Sequence, residues 1–158
     1  MSAALEQLVA RAAIADNIQD FSVAVDRLDI PAVLACVTED VVADYGPAQA
    51  FKARGKNELE GFLNRYWRFA RTHHQLGHVR IWFDAPDDAH SITQVSAWQE
   101  YADGAEAFAY AQFHDRHRQV DGSWRIAQRR VVMTGNNPLY TAELHRLERT
   151  PKPAGWSL

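Results

Sequence analysis

The sequence predicts an α+β domain in which three N-terminal helices pack on one face of a curved, mostly antiparallel sheet. Three observations point there. Up to Thr72 apolar residues recur at helical spacing, beyond it the period becomes strand-like, and the strand-like segments are separated by short turn-forming clusters.

Leu5, Leu8, Val9, Ala12, Ala15, Ile18, Phe21, Val25 and Leu28 form the stripe of a long amphipathic helix that stops at LDIP. Asp29 is placed to cap a second helix, Ala32 to Val37, with Pro31 tolerated where no amide donor is required. VVADYG, residues 41–46, reads as a short strand. GKNELEGFLNRYWRFART carries Leu59, Phe62, Leu63, Tyr66, Trp67 and Ala70 at helical spacing and predicts a third helix with Asn57 as its cap. HQLGHVRIWF, ITQVSAWQEY, EAFAYAQFHDRH and SWRIAQRRVVM then read as four strands, with Asp103-Gly104 and Asp121-Gly122 as hairpin turns. Residues 1–135 make one domain, and residues 136–158 a tail with Pro138, Pro151 and Pro153 and a helical turn at YTAELHRL. The tail is expected to act as a lid or a subunit contact, or else to end in disorder.

Bulk properties narrow the function. A chain of 158 residues suits one domain, and 47% hydrophobic with 23% charged residues is ordinary for a globular protein. A net charge of -3 with no basic cluster argues against a nucleic-acid partner. Cys36 is the single cysteine, which excludes an intramolecular disulfide and multi-thiolate metal sites and suits a reducing cytoplasm. The N-terminus does not read as a signal peptide, and no run approaches a membrane span. An apolar sheet face on so small a domain leads us to expect a homodimer or homotrimer.

RTHHQLGH, residues 71–78, holds three of the seven histidines. On a helix His74 and His78 would share a face. On a strand they lie roughly 13 Å apart at about 3.3 Å per residue, which makes a shared metal a poor reading. Neighbouring His73 and His74 must then point to opposite faces, so one imidazole looks toward the helices. Asp26, near the edge of the apolar stripe with Leu8, Ala15 and Ser22 on its side, is a carboxylate that can reach such a histidine. An Asp-His pair beside an apolar cavity would hold one tautomer and make a general base. His114 and His117 read as a solvated strand end, and His90 and His145 are assigned no role.

LVARAAIADNIQDFSVAVDRLD, VTEDVVADYG, THHQLGHVRIWF and VDGSWRIAQRRVV together resemble the SnoaL-like branch of the nuclear-transport-factor-two-like superfamily. Within it, the chain is similar to the group containing scytalone dehydratase, bile acid dehydratase and hexachlorocyclohexane dehydrochlorinase. The resemblance runs over roughly residues 5 to 135 and implies a cone-shaped α+β barrel around a pocket. It implies that His74 is the base, that Asp26 orients it, that Arg129 receives developing negative charge and that Tyr45 polarises a substrate oxygen. It also marks departures. Phe21 stands where the dehydrochlorinase has a catalytic lysine. Trp98 and Phe113 stand where scytalone dehydratase has a histidine and an asparagine, and Glu100 falls near an acid of the bile acid enzyme. Phe21, Trp98, Phe113 and Glu100 are thus expected in the substrate pocket. Alternation alone leaves open whether Arg129 or Arg130 faces the cavity, since a bulge would reverse the choice.

These readings converge on a cofactor-independent lyase or dehydratase acting on a small, mostly apolar substrate, with neither metal nor nucleotide implied by any motif. The alternatives are a polyketide cyclase or ketone isomerase using Asp44 as base, and a non-catalytic binding protein or oxygenase small subunit.

Overall fold

A computed structural model describes residues 3–149 and 154–155. Pro151 and Pro153, and with them the question of a disordered end, lie outside the described residues. The elements run α1 (Ala3–Asp26), α2 (Ile30–Ala35), β1 (Val37–Asp44), β2 (Lys52–Arg54), α3 (Gly55–Leu63), β3 (Phe69–Ala85), β4 (Asp88–Tyr101), β5 (Glu106–Val120), β6 (Ser123–Asn136) and β7 (His145–Arg146), with 3-10 turns at Gln49–Phe51 and Asn64–Arg68. Three helices thus pack against a curved seven-stranded sheet of order β2-β1-β6-β5-β4-β3, with β7 added on β6. The cone stays open, since β2 and β3 do not pair. Most pairings are antiparallel, and β6 is parallel to both β1 and β7. Among the described residues no helix is long and apolar enough to cross a membrane.

The helices follow their local chemistry in part. In α1 the buried stripe is Ile14, Ile18, Phe21 and Val25, and it packs toward the concave face of the sheet. Leu5, Leu8 and Val9, expected in the stripe, are exposed; in these turns Glu6, Gln7 and Ala10 lie toward the end of β3 instead. The Asp29 carboxylate accepts the Ala32 N–H at 3.1 Å and caps α2, which begins earlier than expected and ends before Val37. The third helix is shorter than its pattern. It stops at Leu63, and Phe69 to Thr72 extend instead, because Phe69 pairs with Tyr101 and Arg71 with Glu100 on β4; ladder pairing outweighs a weak helical propensity. Asn57 does not cap it. The cap position falls three residues earlier, at Arg54, whose N–H donates to the Glu58 carboxylate at 2.8 Å.

Bulges decide which side chains face the helices. In β3 the pairing slips between Leu76 and Val79, so Thr72, His74 and Leu76 face inward before the slip and Val79, Ile81 and Phe83 after it. In β6 the partner register jumps from Arg116↔Gln128 to His117↔Ile126 and leaves Ala127 as the extra residue. Trp124 and Ile126 are therefore buried on one side of the bulge, and Arg129, Val131 and Met133 on the other.

The tail forms no helix at residues 140–147. It runs extended, directs Tyr140, Ala142 and Leu144 into the interior and ends in β7 on β6. The Asn136 and Asn137 side chains hold it at the entrance to this run, and His145 Nε2 meets the Asp44 carboxylate at 2.7 Å. Gly46 permits the crossing: a Cβ there would stand 2.3 Å from the Glu143 carbonyl oxygen, a backbone atom with little room to yield. Gly46→Ala is therefore expected to lower stability by about 1–3 kcal/mol and to speed tryptic cleavage at Arg146, read by thermal unfolding and limited proteolysis.

Candidate active site

The concave face of the sheet, α1, α3 with the 3-10 turn that follows it, and the tail enclose a cavity of about 120 Å³, well above the roughly 10–15 Å³ that one water needs. Its walls are mostly apolar: Phe21 and Val25 of α1, Phe62 and Leu63 of α3, Val95 and Ala97 of β4, Ala109, Ala111 and Phe113 of β5, Val131 of β6 and Leu144 of the tail. His74, Arg129, Tyr45, Tyr66, Tyr140 and Gln99 bring polar atoms to the same space.

Asp26 is the last residue of α1, and its carboxylate meets β3 at three points. Oδ1 accepts from the Thr72 hydroxyl at 2.9 Å and from His74 Nδ1 at 2.6 Å, while Oδ2 accepts the His74 backbone N–H at 2.8 Å. A carboxylate can only accept these bonds, so the neutral imidazole carries its proton on Nδ1 and leaves Nε2 with a lone pair. Burial pushes the Asp26 carboxyl up, but the hydrogen bonds and charge of His74, with the Thr72 hydroxyl, hold it net below the usual carboxylate range. His74 is half-buried and lines the cavity, whereas His73 is exposed, with its Nδ1 3.9 Å from Asp26.

Arg129 faces the same cavity. It is 2% exposed, and it meets Asp115 of β5, 3% exposed, through Nε at 2.9 Å and Nη2 at 2.7 Å. Phe21 and Phe113 sandwich the guanidinium, each ring centroid 4.1 Å from Cζ. Nη1 is buried and has no hydrogen-bond partner among the described residues. Burial acts against the charge, but Asp115 outweighs it and keeps Arg129 firmly protonated. Tyr45 stacks on Phe62 at 4.4 Å and 15°, and burial pushes its phenol up to about 12, so it stays a neutral donor.

The structure thus gathers His74, Asp26, Arg129, Tyr45, Phe21 and Phe113 in one place. It separates two others. Val95, Ala97 and Gln99 face the cavity, so strand alternation turns Trp98 and Glu100 to the opposite side, where Arg71 lies over the Trp98 ring and pairs with Glu100. Neither lines the pocket. Asp44, the alternative base, likewise alternates away from Ala43 and Tyr45 and is held by His145.

Sequence reasoning missed Asp115, Tyr66 and Tyr140. Asp115 was detectable as the cross-strand partner of Arg129 once the β5–β6 hairpin is written out; the tyrosines carried no local signal. His117 is a further correction. Far from a solvated strand end, it is 0% exposed, because β5 keeps alternate residues inward from Ala107 to His117; its Nε2 lies 2.9 Å from the Ser91 hydroxyl.

Two measurements follow. Asp115→Ala would strand a buried guanidinium and is expected to cost about 3–5 kcal/mol, whereas replacing both Asp115 and Arg129 by apolar residues of similar size should cost far less, in a chemical-denaturation double-mutant cycle. Burial also pulls His117 from 6.5 down to about 4. The unfolded chain takes up that proton first as pH falls, so stability is lost between pH 6.5 and 4, by up to about 3 kcal/mol from this group. His117→Gln should flatten the stability curve in that window relative to the parent.

A family model for the SnoaL-like domain matches residues 6–130. No curated protein matches the chain by sequence. Among solved structures the chain is similar to a candidate scytalone dehydratase of Novosphingobium aromaticivorans, at 24% identity over 92% of this chain and 98% of that one, with a TM-score of 0.86. It is also similar to a hexachlorocyclohexane dehydrochlorinase of Novosphingobium barchaimii, at 19% identity over 90% and 98%, TM-score 0.78. A candidate aromatic ring hydroxylase of Novosphingobium aromaticivorans follows at 22% identity over 80% and 91%, TM-score 0.75. At these identities the structural likenesses establish the fold.

Proposed function

The chain belongs to the SnoaL-like domain family, and from that premise we propose that it is a cofactor-independent lyase of the dehydratase type, with His74 as its base and Asp26 as the group that orients it. The observation that carries this reading is the 2.6 Å contact between His74 Nδ1 and the Asp26 carboxylate at the wall of an apolar cavity that also holds Arg129.

His74 Nε2 takes a proton from a substrate carbon made acidic by a neighbouring carbonyl. The electron pair moves onto the carbonyl oxygen, where the Arg129 guanidinium and the Tyr45 hydroxyl receive the negative charge. The enolate then re-forms the carbonyl and expels hydroxide from the β-carbon; the imidazolium returns its proton, and water leaves. Asp26 steadies the transient imidazolium. Donors held in advance in an apolar cavity act more strongly on such an oxyanion than they would in water. Base, orienting group and charge acceptors are all side chains of this protein, so the step is written without a cofactor.

Supporting this reading over a cyclase or isomerase that uses Asp44 is the position of that carboxylate, turned out of the cavity and occupied by His145. A purely binding or oxygenase-subunit role would not call for an imidazole held in one tautomer with its free nitrogen unengaged. A cytoplasmic homodimer or homotrimer is the proposed setting, in keeping with a single buried thiol.

A panel of cyclic β-hydroxy ketones, followed by the rise of enone absorbance, tests the proposal. His74→Gln and Asp26→Asn should each slow turnover by about 100-fold or more with the thermal transition of the His74 variant little changed. A fully active His74 variant would remove His74 as the base.

A further inference from the structure

We infer that the substrate is an amphipathic carboxylate, with its apolar body in the cavity and its anionic group held at the cavity mouth by Arg68 and Arg65. The inference rests on reading this cavity as the substrate site and adds the chemical class that the site selects.

The position of the mouth comes from exposure. Of the residues lining the cavity, Arg65 and Arg68 alone are exposed, so the opening lies beside them. Both sit on the 3-10 turn between α3 and β3, in NRYWR, where a tight turn brings residues three apart to one side. Neither has a carboxylate partner among the described residues. Arg65 donates to the Ala50 carbonyl at 2.6 Å and lies over the Phe62 ring, and Arg68 lies over Phe69 at 4.7 Å, which positions the guanidinium and leaves its N–H groups open.

Charge bookkeeping around the cavity is one-sided. No Asp or Glu is among its lining residues. The two carboxylates behind its wall are committed, Asp26 to His74 and Asp115 to Arg129. Arg129 balances Asp115, while Asp26, bonded to a neutral imidazole, keeps one negative charge behind the wall. At the mouth itself two cations stand without a carboxylate partner among the described residues, on a chain whose net charge is -3. Such a local field, opposite in sign to the whole molecule, draws anions to the opening.

Two further donors face the same space. Tyr66 and Tyr140 line the cavity, burial pushes both phenols up, and each feels the charge of Arg68. Their hydroxyls have no hydrogen-bond partner among the described residues. A guanidinium flanked by neutral phenols supplies several donors around one positive charge, which suits a carboxylate.

Calorimetric titration of the full chain with 3-phenylpropionate and with 3-phenylpropanamide, close in shape and different in charge, tests the assignment. The carboxylate should bind roughly tenfold tighter than the amide, and added salt should erode that margin alone. Arg68→Gln should cut the margin to about twofold or less, and Arg65→Gln should reduce it in part, both without changing affinity for the amide. His74→Gln should keep the full margin, so loss of the proposed chemistry and loss of anion selection are read separately. Equal affinities in the parent protein, no binding of the carboxylate at millimolar concentration, or an undiminished margin in Arg68→Gln would each overturn it.

Discussion

One carboxylate ties the helical layer to the sheet. Asp26 ends α1 and takes three hydrogen bonds from Thr72 and His74 of β3, including the backbone N–H and the ring of the same histidine. Taking both from one residue fixes the strand's position and the ring's rotation together, which a side-chain contact alone would not do. The arrangement is favourable because the donors offset desolvation: burial pushes the carboxyl up, yet its hydrogen bonds and the imidazole hold it net below its ordinary range. The same bonds that dock the helix therefore set the tautomer on which the proposed chemistry depends.

The second polar unit has a different logic. Arg129 and Asp115 are buried together, and a buried ion pair is weak evidence for stability, since well-packed apolar residues often serve as well. Its geometry explains its presence better. Asp115 takes Nε and Nη2, Phe21 and Phe113 clamp the two faces, and Nη1 is what is left over. The guanidinium cannot swing away to follow a guest, so any oxygen that enters must come to it. A charge held in this way needs little rearrangement when negative charge develops nearby.

Both units reach the cavity only because the sheet breaks its own period. The slip after Leu76 in β3 and the extra residue Ala127 in β6 let consecutive stretches of each long strand keep an apolar face toward the helices as the sheet curls. Without the second bulge, alternation from Trp124 and Ile126 would turn Arg130 inward and Arg129 out. The identity of the cationic residue in the cavity is thus set by one inserted position.

The two-layer plan, the hairpin turns and the strand character of RTHHQLGH were legible from periodicity, because alternation and helical spacing are local properties that burial imposes on neighbouring residues. Family likeness marked His74, Asp26, Arg129 and Tyr45, and it placed Phe21 and Phe113 beside them. Long-range pairing lay beyond such reading. It ended the third helix at Leu63, turned Trp98 and Glu100 outward, buried His117 and drew Tyr140 from the tail into the cavity. In each case the local preference is worth a fraction of a kcal/mol, and a partner distant in the chain supplies more. Asp115 shows the limit best. Nothing around it distinguishes it from a surface aspartate until strand pairing sets it against Arg129 and the interior removes the water that would otherwise have satisfied both.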